Sequence, residues 1–359
     1  MQDLFFELIQ VALGNRDRLS RMPSLEEWVL LYGICKKQTV LGIAYHALEQ
    51  LASQDQKAPR DIYMKWFTVK RKIENRNALF DKRCIDVQKL YSESGIRSSI
   101  LKGQGLACYY GELRSLRQSG DIDLYVDCGR ERALSFAREL GQKDINWNYK
   151  HLDLNIYEGV KIEVHYHVET FYNPFKSKRL EDWFLQNKEL LYTGKCGFIV
   201  PSTTYNLFYV LLHLYNHFIS SGVGLRQLID YYFVLRAAEG ASVSFKNGES
   251  IQDVLETFGM TRFARGVMWL LQEVAGLSSE YMFCEPLEKE GRWILDDIMT
   301  TGNFGEYFKK TKDNKRLSRS QIIVNMTKRG FRLFKLCSSD ALWAPAWAVG
   351  HKCWKLTKK

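Results

Sequence analysis

Residues 120–127 read GDIDLYVD, and their alternation is strict. In an extended chain Ile122, Leu124 and Val126 fall on one face and Asp121, Asp123 and Tyr125 on the other. That predicts a strand with one buried and one polar face. The polar face holds two carboxylates at i and i+2, about 6–7 Å apart along the strand. Working outward, IRSSILKG at 96–103 reads as a preceding strand, LACYYGELRSL at 106–116 as a short helix, and residues 130–141 as another helix. HLDLNIYEGVKIEVHYH at 151–167 holds two further alternating runs around Glu158-Gly159. A two-residue loop there would set Glu163 opposite Leu154, polar against apolar. A three-residue loop, Glu158-Gly159-Val160, pairs Ile156 with Ile162, Leu154 with Val164, Asn155 with Glu163 and Asp153 with His165. It keeps every side chain on its proper face, and a one-residue slip would reverse them all. On that register Glu163, His165 and His167 share the polar face.

Three carboxylates converging in one small sheet repel one another unless cations lie between them. Asp121, Asp123 and Glu163 are therefore the expected metal ligands and catalytic acids, and their oxygen donors suit Mg²⁺ or Mn²⁺. Asp123 shows no structural partner in the sequence other than such a metal. Two ions bridged by shared carboxylates serve phosphoryl-type transfer. Upstream, Lys102-Gly103 closes the first strand before a helix, where a glycine lets backbone N–H groups approach phosphate. Lys102, Arg114 and Arg117 add positive charge. Lys102, Gly103, Arg117 and Gly120 form the expected phosphate-binding set.

The rest of the chain reads as helix. In 60–93 apolar residues recur at Ile62, Trp66, Val69 and Ile73, then at Leu79, Phe80, Val87 and Leu90, with Gly95 as a stop. Apolar residues also fill 205–218 and 225–235, and GVMWLLQEVAGL makes another helix. The fold class is α+β: a small mixed-sheet core at 95–200, between an N-terminal helical region at 1–94 and a C-terminal one at 201–359 that ends in a basic tail. At 359 residues the chain can bury a sizeable core, and 46% hydrophobic with 26% charged residues suits a globular protein. No apolar run approaches the roughly 20 residues that span a bilayer. MQDLFFELIQVAL carries Asp3 and Glu7 where a secretory signal carries positive charge. The cysteines, Cys35, Cys84, Cys108, Cys128, Cys196, Cys284, Cys337 and Cys353, are scattered with no C-x-x-C pair. They read as reduced, mostly buried thiols, which makes the expected location cytoplasmic. Residues 306–359 hold 14 Lys or Arg against Glu306, Asp313 and Asp340, a surplus of +11, whereas the other 305 residues sum to −1. That tail is either a solvated helix face or a patch for RNA or another polyanion.

LKGQGL, then RQSGDIDLYV, then KIEVHYH resembles the uncharacterised bacterial nucleotidyltransferase family of the polymerase-β superfamily. HLYNHFISSGVGLRQLIDYYFVL at 213–235 resembles that family's helical His…Leu-Arg…Asp stretch, and TGNFG at 301–305 is also similar. The likeness covers roughly residues 25–350. It is more distantly similar to the nucleotidyltransferase toxins of abortive-infection systems. The resemblance implies two-metal transfer of a nucleoside monophosphate from a nucleoside triphosphate to an acceptor hydroxyl. Asp121 and Asp123 would be metal ligands, Glu163 the third carboxylate, Gly103 would face the triphosphate, and the phosphate-binding set would be a nucleotide-binding one. One departure is that the wider superfamily has Gly-Ser after the first strand, whereas Gln104 follows Gly103 here, and the spacing to Asp121 is longer. The rival reading is a non-catalytic nucleotide- or RNA-binding protein on the same fold.

Other residues carry two readings. His213 and His217, four apart, read as a packed polar helix face more than as metal ligands, and Arg226 and Asp230 as a helix-surface pair, or, on the family resemblance, as residues that line the cleft. His165 is either a support for Glu163 or a hydrogen-bonded sheet histidine. His151 reads as a loop residue, and Arg117 as a phosphate contact or an ion pair for Asp121. Trp343, Trp347 and Trp354 could anchor at a membrane or stack on bases, but packing against the body is the preferred reading.

Overall fold

The alternating runs become a four-stranded sheet because each has an apolar face to bury. A computed structural model describes residues 1–220, 222–238, 244–301 and 319–356. Strands β1 (Ser98–Ile100), β2 (Ile122–Val126), β3 (His151–Leu154) and β4 (Ile162–His165) lie in the order β1-β2-β4-β3. β2 and β4 are parallel, and β1 and β3 pair antiparallel on either side, so the sheet is mixed. Ile122, Leu124, Val126, Leu152, Leu154, Ile162 and Val164 enter one buried cluster.

Helices α1 (Gln2–Ala12), α2 (Leu25–Gln38), α3 (Leu41–Ser53) and α4 (Arg60–Glu93) precede the sheet. Within the sheet region come α5 (Gln104–Ala107), α6 (Gly129–Glu139), α7 (Pro174–Gln186) and a two-stranded ribbon of β5 (Gly194–Lys195) and β6 (Ile199–Val200). After them come α8 (Thr203–Ser220), α9 (Leu225–Ala237), α10 (Ile251–Thr257), α11 (Thr261–Ala275), α12 (Glu288–Thr301) and α13 (Arg319–Leu356), the last kinked at Cys337. The two helical regions share one core. Phe5 and Leu8 of α1 belong to the same buried cluster as Val267 and Leu271 of α11. α4 belongs to both cores: Ile62, Trp66 and Ile73 enter the helical one, and Phe80, Cys84, Val87 and Tyr91 the sheet core.

Several expectations need correction. β3 and β4 pair Asp153 with Glu163, Leu154 with Ile162, Leu152 with Val164 and His151 with His165, two residues away from the three-residue-loop register. The faces survive, because a shift of two restores the side-chain phase. The connection is longer than a tight hairpin because it runs from residue 155 to 161. His151 is a strand residue rather than a loop residue. Cys108 and Cys196 form a disulfide across 88 residues of sequence, with Cα atoms 6.0 Å apart. Linear spacing gave no sign of it, because the fold and not a local motif brings the two thiols together, and the reduced-thiol argument for location falls with it. Cys35, Cys84 and Cys337 are buried and free, as expected.

No helix among the described residues is long and apolar enough to cross a membrane. The basic run Lys309, Lys310, Lys312, Lys315 and Arg316 lies outside the described residues. So do TGNFG beyond Thr301 and the side chain of Trp354.

Candidate active site

The polar face of β2 meets that of β4 in register, so Asp123 stands beside Glu163 and Tyr125 beside His165. Asp121, Asp123 and Glu163 line one cavity of about 220 Å³, together with Lys102, Gly103, Arg117 and Gly120. All seven residues selected from sequence thus meet in one place. Their electrostatic situations differ.

Asp123 is buried and has partners. Lys102 Nζ and His165 Nε2 each lie 2.9 Å from its Oδ1. Burial alone would raise its carboxyl, but Lys102 and the His165 hydrogen bond hold it well below the usual carboxylate range. The expectation that only a metal could balance Asp123 is corrected: a lysine from the end of β1 already does so. Burial works equally against the Lys102 charge, yet Asp123, Glu169 and Asp121 outweigh it and hold the ammonium up at about 12. Glu163 is ion-paired to Lys161, and its other oxygen lies 3.7 Å from His165 Nε2 and 3.6 Å from His151 Nδ1. His165 therefore supports Asp123 first and Glu163 second.

Asp121 contrasts with both. Among the described residues it makes no hydrogen bond or ion pair, and burial followed by the Asp123 charge pushes its carboxyl up to about 6. An unpaired carboxyl beside two ionised ones is the pattern expected where a cation is wanted. The oxygen donors of Asp121, Asp123 and Glu163 fit Mg²⁺ or Mn²⁺. A second grouping fits less well. His151, Glu163 and His165 each bring a ligand atom within 4.8 Å of the others. However, Asn148 Oδ1 accepts the backbone N–H groups of Lys150 and His151, which turns the Asn148 amide nitrogen toward His151 Nε2 at 3.0 Å. A neutral His151 then carries its proton on Nδ1, facing Glu163, and offers no lone pair there. Glu163 stands 3.6 Å from His151 and 3.7 Å from His165, beyond hydrogen-bond distance, and each of the three is held instead by an outside partner: His151 by Asn148, His165 by Asp123 and Glu163 by Lys161.

Gly103 has φ of +58°, and a Cβ on it would stand 3.0 Å from the Asp121 carbonyl oxygen. The loop therefore requires glycine simply to pass the residue that leads into β2. Gln104, next after Gly103, turns into the interior, where its Nε2 donates to Asp81 Oδ1 at 2.6 Å and its Oε1 accepts from Ser119. Arg117 is not paired with Asp121. Its guanidinium forks onto Asp230 at 2.6 and 2.8 Å, and Tyr110 donates to the same carboxylate at 2.5 Å. Asp230 is thus buried and does not form a helix-surface pair with Arg226, whose Nη1 donates to the Gln118 carbonyl at 2.6 Å. Arg114 pairs with Asp81 at 3.2 Å.

The remaining wall of the cavity comes from α8 and α9, with His213, His217 and Arg226 among its residues. Glu169 was not anticipated. It is buried, Lys150 Nζ lies 2.5 Å from its Oε1, and His213 Nδ1 lies 3.1 Å from its Oε2. Burial would raise the Glu169 carboxyl, but Lys150 and His213 hold it well below its usual value. An ionised carboxylate only accepts, so His213 carries its proton on Nδ1 and keeps the lone pair on Nε2. Burial, then the Lys102 charge, pushes His213 down to about 4, which leaves it neutral at pH 7. The His-x-x-x-His spacing was visible in the sequence. The carboxylate 44 residues away that orients the first histidine was not.

Residues 24–276 match the model of a family described as an uncharacterised nucleotidyltransferase, a span that takes in the sheet, the cavity and helices α2 to α11. No curated protein and no solved structure matches the chain.

Proposed function

Because this chain belongs to the uncharacterised nucleotidyltransferase family, we propose that it transfers a nucleoside monophosphate from a nucleoside triphosphate to an acceptor hydroxyl. The observation that carries the reading is the cavity itself: three carboxylates, one of them without a partner among the described residues, face a partly buried lysine and a glycine loop. Mg²⁺ or Mn²⁺ held by Asp121, Asp123 and Glu163 would supply the positive charge that neutralises the triphosphate and acidifies the acceptor.

Lys102 and the backbone beside Gly103 face the phosphates. Lys102 keeps its charge at any working pH, so it stabilises the charge that develops on the leaving pyrophosphate. Arg117 is committed to Asp230 and acts as a strut that fixes the loop before Asp121. His213 Nε2 takes the acceptor proton, and Glu169 holds the ring in the accepting tautomer. The acceptor oxygen bonds to the α-phosphorus as the bond from that phosphorus to the β-bridging oxygen breaks. Pyrophosphate leaves, and His213, neutral at pH 7, passes the proton on to solvent.

A binding-only protein is the second reading, favoured by the Lys102 and His165 contacts that already satisfy Asp123. Incubation of the chain with each labelled nucleoside triphosphate, Mg²⁺ or Mn²⁺ and a cell extract separates the two. A labelled product absent with Asp121→Asn is expected. Nucleotide binding with no product under any metal would leave the binding-only reading.

A further inference from the structure

β2 and β4 run side by side out of the cavity. Asp121, Asp123 and Glu163 line the cavity, while the next polar-face residue of β2, Tyr125, lines a second and larger cleft of about 740 Å³, as does His167 just past β4. Two residues of strand advance only about 6–7 Å, so the cleft continues the cavity along the same face of the sheet. Glu169 forms the partition: its residue lines the cleft, and its carboxylate holds His213, which lines the cavity.

The far wall is aromatic and comes from α13. Trp347 stands edge-on to Tyr149 and Tyr172, with centroids 5.3 and 5.5 Å apart, and Trp343 beside it is 40% exposed. α13 lies beyond residues 24–276, the span that the family model matches. Arg130, Lys178 and Lys188 stand around the opening. Lys188 also holds Asp127, and Arg130 holds Glu131. Of the acids that line the cleft, Glu169 is spent on Lys150 and His213 and Glu181 remains; of the three cations, Lys178 is the one with no ion pair among the described residues.

We infer that this cleft binds the end of a single-stranded nucleic acid, with terminal bases against Trp347, Trp343 and the neighbouring tyrosines and phosphates toward the cations. Aromatic faces accept any base, a basic surround holds the backbone, and the volume suits one or two nucleotides. The surplus of +11 over residues 306–359 adds long-range attraction for the same polyanion. The orientation of that end, with its hydroxyl reaching past Glu169 to His213, rests on the nucleotidyl-transfer reading; the binding site itself does not.

The test is fluorescence anisotropy of a labelled hexaribonucleotide with the full chain at low and high salt. Expected are binding that weakens steeply with salt, about tenfold weaker binding in Trp347→Ala, and recovery of most of that loss in Trp347→Phe. Trp343→Ala, at the exposed rim, repeats the measurement where loss of packing is smallest. Circular dichroism and binding of the metal–triphosphate complex should be unchanged in all three. Salt-insensitive binding, no effect of either tryptophan, or equal competition by a tyrosine-containing peptide would overturn the assignment. Displacement of the hexamer by free nucleoside triphosphate, lost in Trp347→Ala, would overturn it in favour of the donor's own base. Trp347-dependent hexamer binding with no transfer onto it under any triphosphate or metal would keep the cleft and remove the nucleotidyl-transfer reading.

Discussion

The cavity and the cleft share one sheet face and are built on opposite plans. The cavity is small, and its charges are largely paired in advance: Lys102 with Asp123, Arg117 with Asp230, His213 with Glu169. The cleft is about three times larger and mainly aromatic, with its cations, Arg130, Lys178 and Lys188, confined to the lining around the rings and two of them in ion pairs of their own. Pairing in advance fixes geometry and suits bond-making, because dipoles set before the reaction cost no reorganisation during it. Aromatic walls tolerate many shapes and suit grip. The lesson is sharpest within the cavity, where Asp121 is the one carboxylate of three left without a partner among the described residues.

That contrast can be broken most directly at Asp121. Asp121→Asn should lower the transfer rate about a thousandfold or more, while its thermal midpoint without metal holds or rises, since removing one of three clustered charges relieves repulsion. A single-turnover assay alongside a melting curve reads both; an active Asp121→Asn would exclude this carboxylate from the reaction. Asp123→Asn should lose activity and stability together, because Lys102, largely shielded from water, is then left without its carboxylate. Breaking a buried pair costs about 3–5 kcal/mol, measurable by urea unfolding. Equal stability of the two variants would erase the distinction drawn between them.

Smaller effects sharpen the picture. His213→Gln should slow transfer about a hundredfold, the ordinary worth of a positioned base, with substrate binding little changed. A wild-type rate would return the histidine to a packing role. The pH dependence of folding follows from the same residue. His213 titrates near 4 when folded and near 6.5 when unfolded, so between those values the unfolded chain binds more protons. The stabilisation is present above about 6.5 and drains away as pH falls toward 4. Asp121, raised to about 6, works in the opposite direction over part of that window. His213→Gln should therefore flatten the acid loss in a urea series from pH 7 to 4.5, and Asp121→Asn should steepen it.

Much of the fold was legible in the sequence because period-two alternation fixes which side chains share a face. GDIDLYVD and KIEVH gave the strands, and the sequence-selected residues converge. The β3–β4 register was not legible, since the turn rule applies to tight hairpins and residues 155–161 make a longer connection. Partners were the harder part. Asp230 lies 113 residues from Arg117, and Glu169 lies 44 from His213. Such pairs are set by tertiary approach and leave no local pattern, which is also why the Cys108–Cys196 bond went unforeseen.

The long helix α4 has a consequence for how the molecule breathes. Its 34 residues extend about 51 Å, with one half sunk in each core. Where the halves meet, Asn77 Nδ2 donates to the carbonyls of Ser115 and Arg117 at 2.6 and 2.8 Å, and Arg76 donates to that of Gly120 at 3.1 Å. The loop that delivers Asp121 is therefore fastened to the midpoint of a shared rod. Neither core can open by itself without exposing half of that rod, so the two should exchange amide hydrogens as a single cooperative unit. The midpoint amides of α4, around Asn77, should be among the slowest in the chain. A substitution there, outside the lining of the cavity, would loosen the start of β2 while leaving every proposed ligand in place.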